Sequence, residues 1–241
     1  MFLIKLDATP STNDYLRELS GRESLPDYTV VTTEYQSAGR GQMGAKWESG
    51  RGQNLMFSVL VRNAVTEAGA LFRLNAAIAL AVAVVLERLN VPDITIKWPN
   101  DILSGNRKLS GILIENAFGT QGITSVIGIG VNVNQKEFDG LPHASSMCLA
   151  ACTTFDRDVV LHELVAELKT QVAKLSANDS GVWDSYHQRL FRKDRPSAFE
   201  CENGHRFMGI IRHVDESGRL VVQLEDETLK SFAIKELKLL Y

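Results

Sequence analysis

The eight residues from Ile127 to Asn134, IGIGVNVN, restrict the fold of this chain more than any other segment. Branched apolar residues alternate strictly with Gly or Asn, and this two-residue period is that of a β-strand, whose successive side chains point to opposite faces of a sheet. One face carries Ile127, Ile129, Val131 and Val133 and is expected to lie on a hydrophobic core. The other face carries only Gly and Asn. Because glycine weakens a strand interior, we expect another group to approach the backbone closely on that face.

Composition limits the class of protein. The 241 residues include 26 Lys and Arg against 29 Asp and Glu, and 44% are hydrophobic, as in a soluble globular protein with one domain or one and a half. The uncharged and mostly apolar stretch 74–86 has 13 residues, whereas a membrane-spanning helix needs about 20 predominantly apolar residues, so no membrane partner is expected. The N-terminal residues do not form a secretory signal, which favours the cytoplasm. The three cysteines fit neither a redox pair nor a zinc site, and no metal site is expected.

Hydrophobic periodicity predicts alternating strands and helices up to Gln188. The predicted strands are 28–35, 55–61, 94–98, 109–115 and 124–134, the predicted helices are 11–20, 67–90 and 158–175, and the glycine-rich stretch 39–52 is a loop. After Pro196, closely spaced strands at 197–202, 206–214, 219–224 and 230–234 favour a small barrel. We therefore predict a catalytic domain at 1–188, a basic, solvated linker at 189–195 and a small C-terminal domain at 196–241.

The glycine-rich loop has the form of a phosphate-binding motif without its context. Residues 39–44, GRGQMG, match G-x-G-x-x-G after a strand, but further glycines follow and exclude the helix that a dinucleotide-binding motif must open. A glycine loop carrying Arg40, Lys46 and Arg51 can still bring backbone N–H groups and cations to an anion. The alternative is a mobile, solvated loop. Trp47 argues against that alternative, because an indole on a charged loop needs a surface to cover.

Two further segments combine charge with strand ends. Residues 97–101, KWPND, end a predicted strand from which Lys97 projects opposite to apolar neighbours, and a buried ammonium group needs a partner. Asn100 and Asp101 follow Pro99, although Pro-Asn-Asp is also an ordinary turn. Lys108 precedes the strand LSGILIE at 109–115; taken alone, it is more typical of a solvated hairpin lysine than of a binding residue.

Taken together, these segments closely resemble the biotin protein ligase family. The resemblance is carried by Ser11-Thr12-Asn13, the loop from Gln36 to Trp47, KWPND at 97–101, RKLSGILIE at 107–115 and IGIGVNVN at 127–134. It implies an α+β fold: a catalytic domain like that of class II aminoacyl-tRNA synthetases, with a mixed sheet and helices, followed by an SH3-like barrel. It also implies the activity, which is ATP-dependent activation of biotin as biotinyl-5'-AMP and its transfer to a lysine of the biotin carboxyl carrier domain of a carboxylase. ATP and biotin are then substrates, and Mg²⁺ is expected with ATP.

The resemblance also implies the site residues. Lys108 contacts the biotin carboxylate and the α-phosphate, Arg40 closes over the same centre, and Asp101 is a candidate to orient or deprotonate the acceptor lysine. The implied biotin-binding residues are Ser11, Thr12, Asn13, Gln36, Arg40, Gly41, Gln42, Lys108 and Gly111. The implied ATP-binding residues are Arg40, Trp47, Lys97, Asn100, Lys108 and Asn132.

The chain departs from the family pattern in its glycine loop. Gln42 and Ala45 occupy positions that are usually basic in the family, so we expect the adenylate to leak more readily.

Two other functions are alternatives to the ligation of biotin. One is a lipoate ligase or transferase of the same fold, but the arginine-rich loop of that family, which ends in a histidine-aspartate pair, is absent. The other is a non-catalytic biotin sensor.

No nucleic acid is expected as a partner. The Ser-Thr-Asn motif begins at residue 11, which we interpret as leaving no room for a DNA-binding domain, and residues 196–241 hold 6 basic against 8 acidic side chains. We expect a monomer or a weak homodimer.

Overall fold

The computed structural model describes residues 2–177 and 179–241, which form two β-sheets and a layer of helices. The first sheet has seven strands: β1 (Phe2–Leu6), β2 (Thr29–Thr33), β3 (Leu55–Arg62), β4 (Ile94–Lys97), β5 (Asp101–Ser104), β6 (Arg107–Gly119) and β7 (Gly122–Val131). Their order is β1-β2-β3-β7-β6-β5-β4, and only β1 and β2 run parallel. The predicted mixed sheet is confirmed, with β7 near its centre.

Five helices accompany this sheet. They are α1 (Thr12–Arg22), α2 (Leu71–Arg88), α3 (Met147–Ala151), α4 (Arg157–Ser176) and α5 (Ser180–Gln188). α2 is rich in Ala, Leu and Val and contacts α4, α5 and the sheet, and 11 of its 18 residues are buried. The helical segment Ala68–Arg88 is long and apolar enough to cross a membrane, but 61% of its apolar window is buried inside the protein, as befits a helix at the centre of a core.

The second sheet is antiparallel and follows the first in the chain. Its strands are β8 (Pro196–Cys201), β9 (Arg206–Val214), β10 (Leu220–Leu224), β11 (Leu229–Phe232) and β12 (Leu237–Leu240), in the order β11-β10-β9-β8-β12. This arrangement is consistent with the predicted small barrel. The Trp98 indole N–H donates to the Gly218 carbonyl oxygen at 3.0 Å and so ties the second sheet to the KWPND segment.

The first residues of the predicted linker contact the catalytic sheet. The backbone carbonyl of Arg189 accepts from Ile96 N, and Phe191 N donates to the Ile96 carbonyl, so residues 189–191 run beside β4. The Arg189 guanidinium makes two hydrogen bonds to the Glu87 carboxylate. The linker at 189–195 and the domain limits at 188 and 196 stay a prediction.

Most predicted elements are present, and the missed ones are short. The alternation at 124–134 is confirmed: Ile127, Ile129, Val131 and Val133 are all buried in the core. Strands β1, β5 and β12 and helices α3 and α5 were not predicted. A strand of four or five residues offers too few alternations to stand out from a turn or a loop.

Candidate active site

The floor of the site is a row of paired residues that crosses five strands of the first sheet. Pairing places Lys97 opposite Asp101, Asp101 opposite Gly111, Gly111 opposite Gly130, and Gly130 opposite Met56. Paired residues share a face of the sheet, so the row has charged side chains at one end and no side chains in the middle. The row two residues further along the strands also has a glycine on β7. It consists of Leu113, Gly128 and Ser58.

Two side chains occupy the cleared face, as the alternation predicted. A Cβ on Gly128 would overlap the Asn13 side-chain oxygen, and a Cβ on Gly130 would lie 2.5 Å from Trp47 Cε2. Trp47 also lies 3.3 Å from the position of a Cβ on Gly111. The indole therefore covers the two central glycines, which confirms that Trp47 has a surface to cover.

The first turn of α1 forms one end of the site. Ser11 is the N-cap of α1, the helix predicted over 11–20, and its hydroxyl accepts from Asp14 N at 3.3 Å. The Gln36 side-chain oxygen accepts from Thr12 N at 2.8 Å and from the Thr12 hydroxyl at 3.1 Å. These bonds leave the Gln36 amide N–H groups and the Ser11 hydroxyl proton as donors beside the first turn of the helix.

Asn13 is held by two residues that the sequence did not single out. Its side-chain oxygen accepts from the Ser58 hydroxyl at 2.6 Å, and its side-chain nitrogen donates to Glu115 Oε2 at 2.8 Å. The Ser58 hydroxyl also lies 2.8 Å from Thr12 Oγ1. Because Asn13 is buried and both ends of its amide are engaged, it positions the pocket floor. A single polar residue in the apolar run LMFSVLV was the available sequence signal for Ser58.

Arg40 lies above Asn13. Its guanidinium is 2.7 Å from Asp14 Oδ1 and 3.1 Å from both oxygens of Glu115. The glycine loop folds back on itself there, since Trp47 N donates to the Gly39 carbonyl at 3.0 Å and Gly41 N donates to the Ala45 carbonyl at 2.6 Å. Arg40 is thus held at the α1 end of the site by two carboxylates.

Lys108 lies at the opposite end, in an ion pair. Its Nζ is 2.5 Å from Asp101 Oδ1 and 6.0 Å from the centre of the Trp47 ring. The end of the Lys108 side chain lies 3.2 Å from where a Cβ on Gly111 would be, so glycine at 111 makes room for it. The Lys108 side chain is 36% exposed and that of Asp101 is 23% exposed, which leaves both accessible to a ligand.

Two cavities meet at this ion pair. The first has a volume of about 490 Å³ and is lined by all nine implied biotin-binding residues, namely Ser11, Thr12, Asn13, Gln36, Arg40, Gly41, Gln42, Lys108 and Gly111. The second, of about 590 Å³, lies between Lys97, Asn132, the segment 138–144 and residues 238–241. Lys46, Trp47, Asp101 and Lys108 line both.

The implied ATP-binding residues divide between these cavities. Trp47 and Lys108 line both, Lys97 and Asn132 line the second, and Arg40 and Asn100 line the first. Lys97 Nζ lies 4.8 Å from the centre of the Tyr241 ring. The Asn132 and Asn100 side chains are buried and donate to the Ser145 carbonyl at 2.9 Å and the Ile112 carbonyl at 2.5 Å. The two side-chain amides thus hold the backbone in place around the site. Neither side-chain oxygen accepts a hydrogen bond from another described residue, so both can accept one from a ligand.

The second sheet also reaches the site, which the sequence did not predict. Ile234 and Lys235, between β11 and β12, line the first cavity, and residues 238–241 line the second. Nothing in the spacing of these residues connects them to a site more than 90 residues earlier in the chain; only the packing of one sheet against the other brings them there.

Comparison with known proteins agrees with this geometry. The family model described as the biotin/lipoate A/B protein ligase family matches residues 6–134. The bifunctional ligase/repressor BirA of Salmonella typhimurium is 32% identical over 238 residues, which cover 97% of this chain and 73% of that protein. The biotin–[acetyl-CoA-carboxylase] ligase of Mycobacterium tuberculosis is 30% identical over 92% of this chain and 83% of its own length.

A solved structure extends the likeness to the fold of the whole chain. The biotin protein ligase of Aquifex aeolicus, in complex with biotin and ATP, has a TM-score of 0.82 at 23% identity and covers 99% of this chain and 98% of its own. With the matched family model extending over more than half of its residues, the chain belongs to the biotin/lipoate A/B protein ligase family.

Proposed function

We propose that the protein is an ATP-dependent biotin–protein ligase that forms biotinyl-5'-AMP and transfers biotin to a lysine of a biotin carboxyl carrier domain. The observation that carries this proposal is the meeting of two cavities at the Lys108–Asp101 ion pair. A ligase of this kind must bring a carboxylate and a nucleotide together at one cation. A relative that is 30% identical over 92% of this chain is named as a biotin–[acetyl-CoA-carboxylase] ligase.

The first cavity suits the bicyclic head of biotin. A ureido group presents one carbonyl acceptor and two N–H donors, and Ser11, Thr12 and Gln36 offer donors and acceptors at that end. The apolar side chains of Met56 and Leu113, which share the cleared face of the sheet with Gly130 and Gly128, line the remainder of the cavity and match the thiophane ring and the valeryl chain. The biotin carboxylate would then extend toward Lys108.

The second cavity suits ATP. Lys97, Lys108 and Lys46 give it positive charge, and Trp47 offers an aromatic face beside Asn132. The Trp47 indole N–H is buried without an acceptor among the described residues, so it remains available as a donor. Mg²⁺ is expected to enter with ATP, as the MgATP substrate, since Mg²⁺ is commonly bound through substrate phosphates.

In the first half-reaction, a biotin carboxylate oxygen attacks the α-phosphorus and pyrophosphate leaves. Negative charge gathers on the α-phosphate oxygens, and Lys108 lies where the cavities meet to stabilise it. Asp101 holds the ammonium group in place through the ion pair. Arg40 is on the same cavity wall, and releasing it from Asp14 and Glu115 would let it join the anion.

In the second half-reaction, the neutral amine of the acceptor lysine attacks the biotinyl carbonyl carbon and AMP leaves. An ammonium group cannot attack, so the acceptor must lose a proton. Asp101 is partly exposed at the junction of the cavities and is the carboxylate placed to orient the amine and receive that proton. The glycine loop, with Trp47 against the sheet, would shield the adenylate from water.

One assay tests the proposal against its rivals. The protein is incubated with ATP, labelled biotin or labelled lipoate, and an apo carrier domain, and the label on the carrier lysine is measured by mass spectrometry. Transfer of biotin supports the proposal. Transfer of lipoate alone would assign the protein to the other branch of the family, and binding of biotin with neither adenylate nor transfer would make it a sensor.

The names of the relatives indicate the protein that accepts biotin, whereas the oligomeric state and the cellular location stay predictions. A biotin carboxyl carrier domain is the partner that the names of the relatives imply. We propose that the protein acts in the cytoplasm as a monomer or a weak homodimer, with neither nucleic acid nor membrane as a partner.

A further inference from the structure

We propose that Arg17, on α1, is a positioning residue for Arg40: it neutralises the two carboxylates that hold the Arg40 guanidinium and so sets how readily that guanidinium turns to the phosphate of the adenylate. This inference rests on the proposed function and deepens it, because it names a residue outside both cavities that controls a cation inside the first. Arg40 lines the first cavity, whereas Arg17 lines neither. Arg17 can therefore act on the chemistry only through other side chains.

Two arginines share two carboxylates at the α1 end of the site. Arg17 Nη2 lies 2.5 Å from Asp14 Oδ1, and Arg17 Nη1 lies 3.1 Å from Glu115 Oε1. Arg40 Nη2 lies 2.7 Å from the same oxygen of Asp14 and 3.1 Å from both oxygens of Glu115. No other cation of the described residues pairs with either carboxylate, so the two positive and two negative charges cancel.

The two arginines bind these carboxylates in different ways. Arg17 presents two nitrogens, one to each carboxylate, and this bridging arrangement suits a planar guanidinium. Asp14 lies three residues before Arg17, so both side chains share one face of α1. Arg40 is held through Nη2 alone, and its Nε and Nη1 donate to no described residue. Arg40 is thus the member that can leave while Arg17 keeps both carboxylates bridged.

The charge balance explains why Arg17 matters when Arg40 moves. With Arg17 in place, departure of Arg40 leaves one positive charge against two negative charges. Without Arg17, Arg40 would be the only cation on both carboxylates, and its departure would leave two uncompensated negative charges. Exposed ion pairs shift an equilibrium by up to about fivefold each. The side chains of Arg17 and Arg40 are 54% and 42% exposed, so added salt should screen this attraction.

The test compares Arg17→Gln with the double variant Arg17→Gln/Asp14→Asn. Asp14 is the carboxylate to remove, because among the described residues its side chain bonds only Arg17 and Arg40. Glu115 is unsuitable, since it also accepts from Asn13 at the pocket floor. In the double variant, departure of Arg40 again leaves a single uncompensated negative charge, as it does in the wild type.

Arg22→Gln is the matched control. Arg22 lies on the same helix, is exposed and pairs with Glu18 alone among the described residues. The rate of biotinyl-5'-AMP formation is measured at saturating biotin and ATP, and its release is followed with labelled biotin in the absence of acceptor. Both rates are measured at about 0.1 M and about 1 M salt, between which the Debye length falls from about 10 Å to about 3 Å. Thermal unfolding checks that the variants keep the fold.

We expect Arg17→Gln to slow adenylate formation and to speed adenylate release by about fivefold each, because Arg40 then stays on the carboxylates. The defect relative to the wild type should shrink at the higher salt concentration. Adding Asp14→Asn to Arg17→Gln should restore most of both rates by removing the excess negative charge. Arg22→Gln should match the wild type at both salt concentrations.

Other outcomes would overturn the inference. Unchanged rates in Arg17→Gln, or an equal loss in Arg22→Gln, would show that Arg17 does not act on Arg40. A loss that neither salt nor Asp14→Asn reduces would show that Arg17 only supports the local fold. Failure of the proposed function looks different, because the wild-type protein itself would then form no biotinyl-5'-AMP.

Discussion

Lys108 Nζ lies 2.5 Å from Asp101 Oδ1, and this pair stands where the two cavities of the site join. Both side chains come from adjacent strands of one sheet, so their separation is fixed by the pairing of β5 with β6. We propose two roles for Asp101: it orients Lys108 in the first half-reaction and faces the acceptor amine in the second.

Asp101→Asn tests the second role. We expect single-turnover transfer from preformed biotinyl-5'-AMP to fall by about 100-fold or more, as for loss of a general base. The loss should shrink at high pH, where the acceptor lysine is neutral without assistance. Asp184→Asn, at an exposed position on α5, is the control. A normal transfer rate in Asp101→Asn would remove the role.

The two cleared positions of β7 provide a matched pair of substitutions. Gly128→Ala would push against Asn13, so we expect KM for biotin to rise by about tenfold with KM for ATP little changed. Gly130→Ala would displace Trp47, so in this variant we expect KM for ATP, not KM for biotin, to rise, together with a shift in tryptophan fluorescence. Gly21→Ala, where nothing lies within 4 Å, should change neither constant. Identical effects of the first two substitutions would contradict the assignment of the cavities.

Ser58→Ala tests the support beneath the biotin pocket. The Ser58 hydroxyl is fully buried and bonds both Thr12 and Asn13, and leaving such partners unpaired costs about 1–3 kcal/mol. We expect weaker biotin binding in isothermal titration with unchanged ATP binding. Ser125→Ala removes an equally buried hydroxyl from β7 that bonds Asn116 and does not line the first cavity, so it serves as the control. Equal affinity for biotin in wild type and Ser58→Ala would refute the positioning role.

Gln42→Arg tests whether the neutral loop leaks its intermediate. An added guanidinium on the wall of the first cavity should hold the adenylate more tightly, so we expect release of biotinyl-5'-AMP to slow by about tenfold. Release is followed with labelled biotin in the absence of acceptor. Gln53→Arg, at an exposed position just after the loop that does not line the first cavity, controls for added charge. Identical release rates in wild type and Gln42→Arg would sink the idea.

His187 predicts how stability depends on pH. Burial lowers the pKa of this imidazole below its ordinary 6.5, with smaller contributions in the same direction from His213 and Lys193; backbone hydrogen bonds to Val214 and Trp183 act the other way. A histidine with a lowered folded pKa binds its proton more weakly than the unfolded chain does, so its contribution is full above about 6.5 and is lost as pH falls toward the folded pKa.

Unfolding by urea should therefore show a smaller free energy at pH 5.5 than at pH 7.5. In His187→Gln that pH-dependent difference should shrink. An equal difference in wild type and variant would mean that other groups cause it.

Local sequence patterns could predict much of the catalytic sheet. The alternation at 127–134 showed both that β7 faces a core and that its other side is cleared, because a period of two residues is a property of the strand alone. Ser11 could be read as a helix cap for the same reason, since capping involves only four neighbouring residues. The family resemblance supplied the chemistry.

Long-range contacts could not be predicted in this way. Trp47 was expected to cover a surface, but that surface is Gly111 and Gly130 only because β6 pairs with β7 in this register. Ser58 on β3 and Glu115 on β6 both form hydrogen bonds with Asn13 on α1, so this contact joins three separate elements. Arg189 and Phe191 contact β4 and α2, and nothing in the basic run 189–195 itself indicates these partners.

The sequence by itself thus determined the elements whose pattern is local: the cleared strand, the capped helix, the glycine loop and the residue types needed for acyl activation. The tertiary structure decided which of them meet. It paired Lys108 with Asp101, seated Trp47 on two glycines, and brought Ile234 and Lys235 from the second sheet to the first cavity. The physical reason is that periodicity reports only which face of an element is apolar, whereas strand register and the packing of one sheet on another fix which side chains from distant parts of the chain share a cavity.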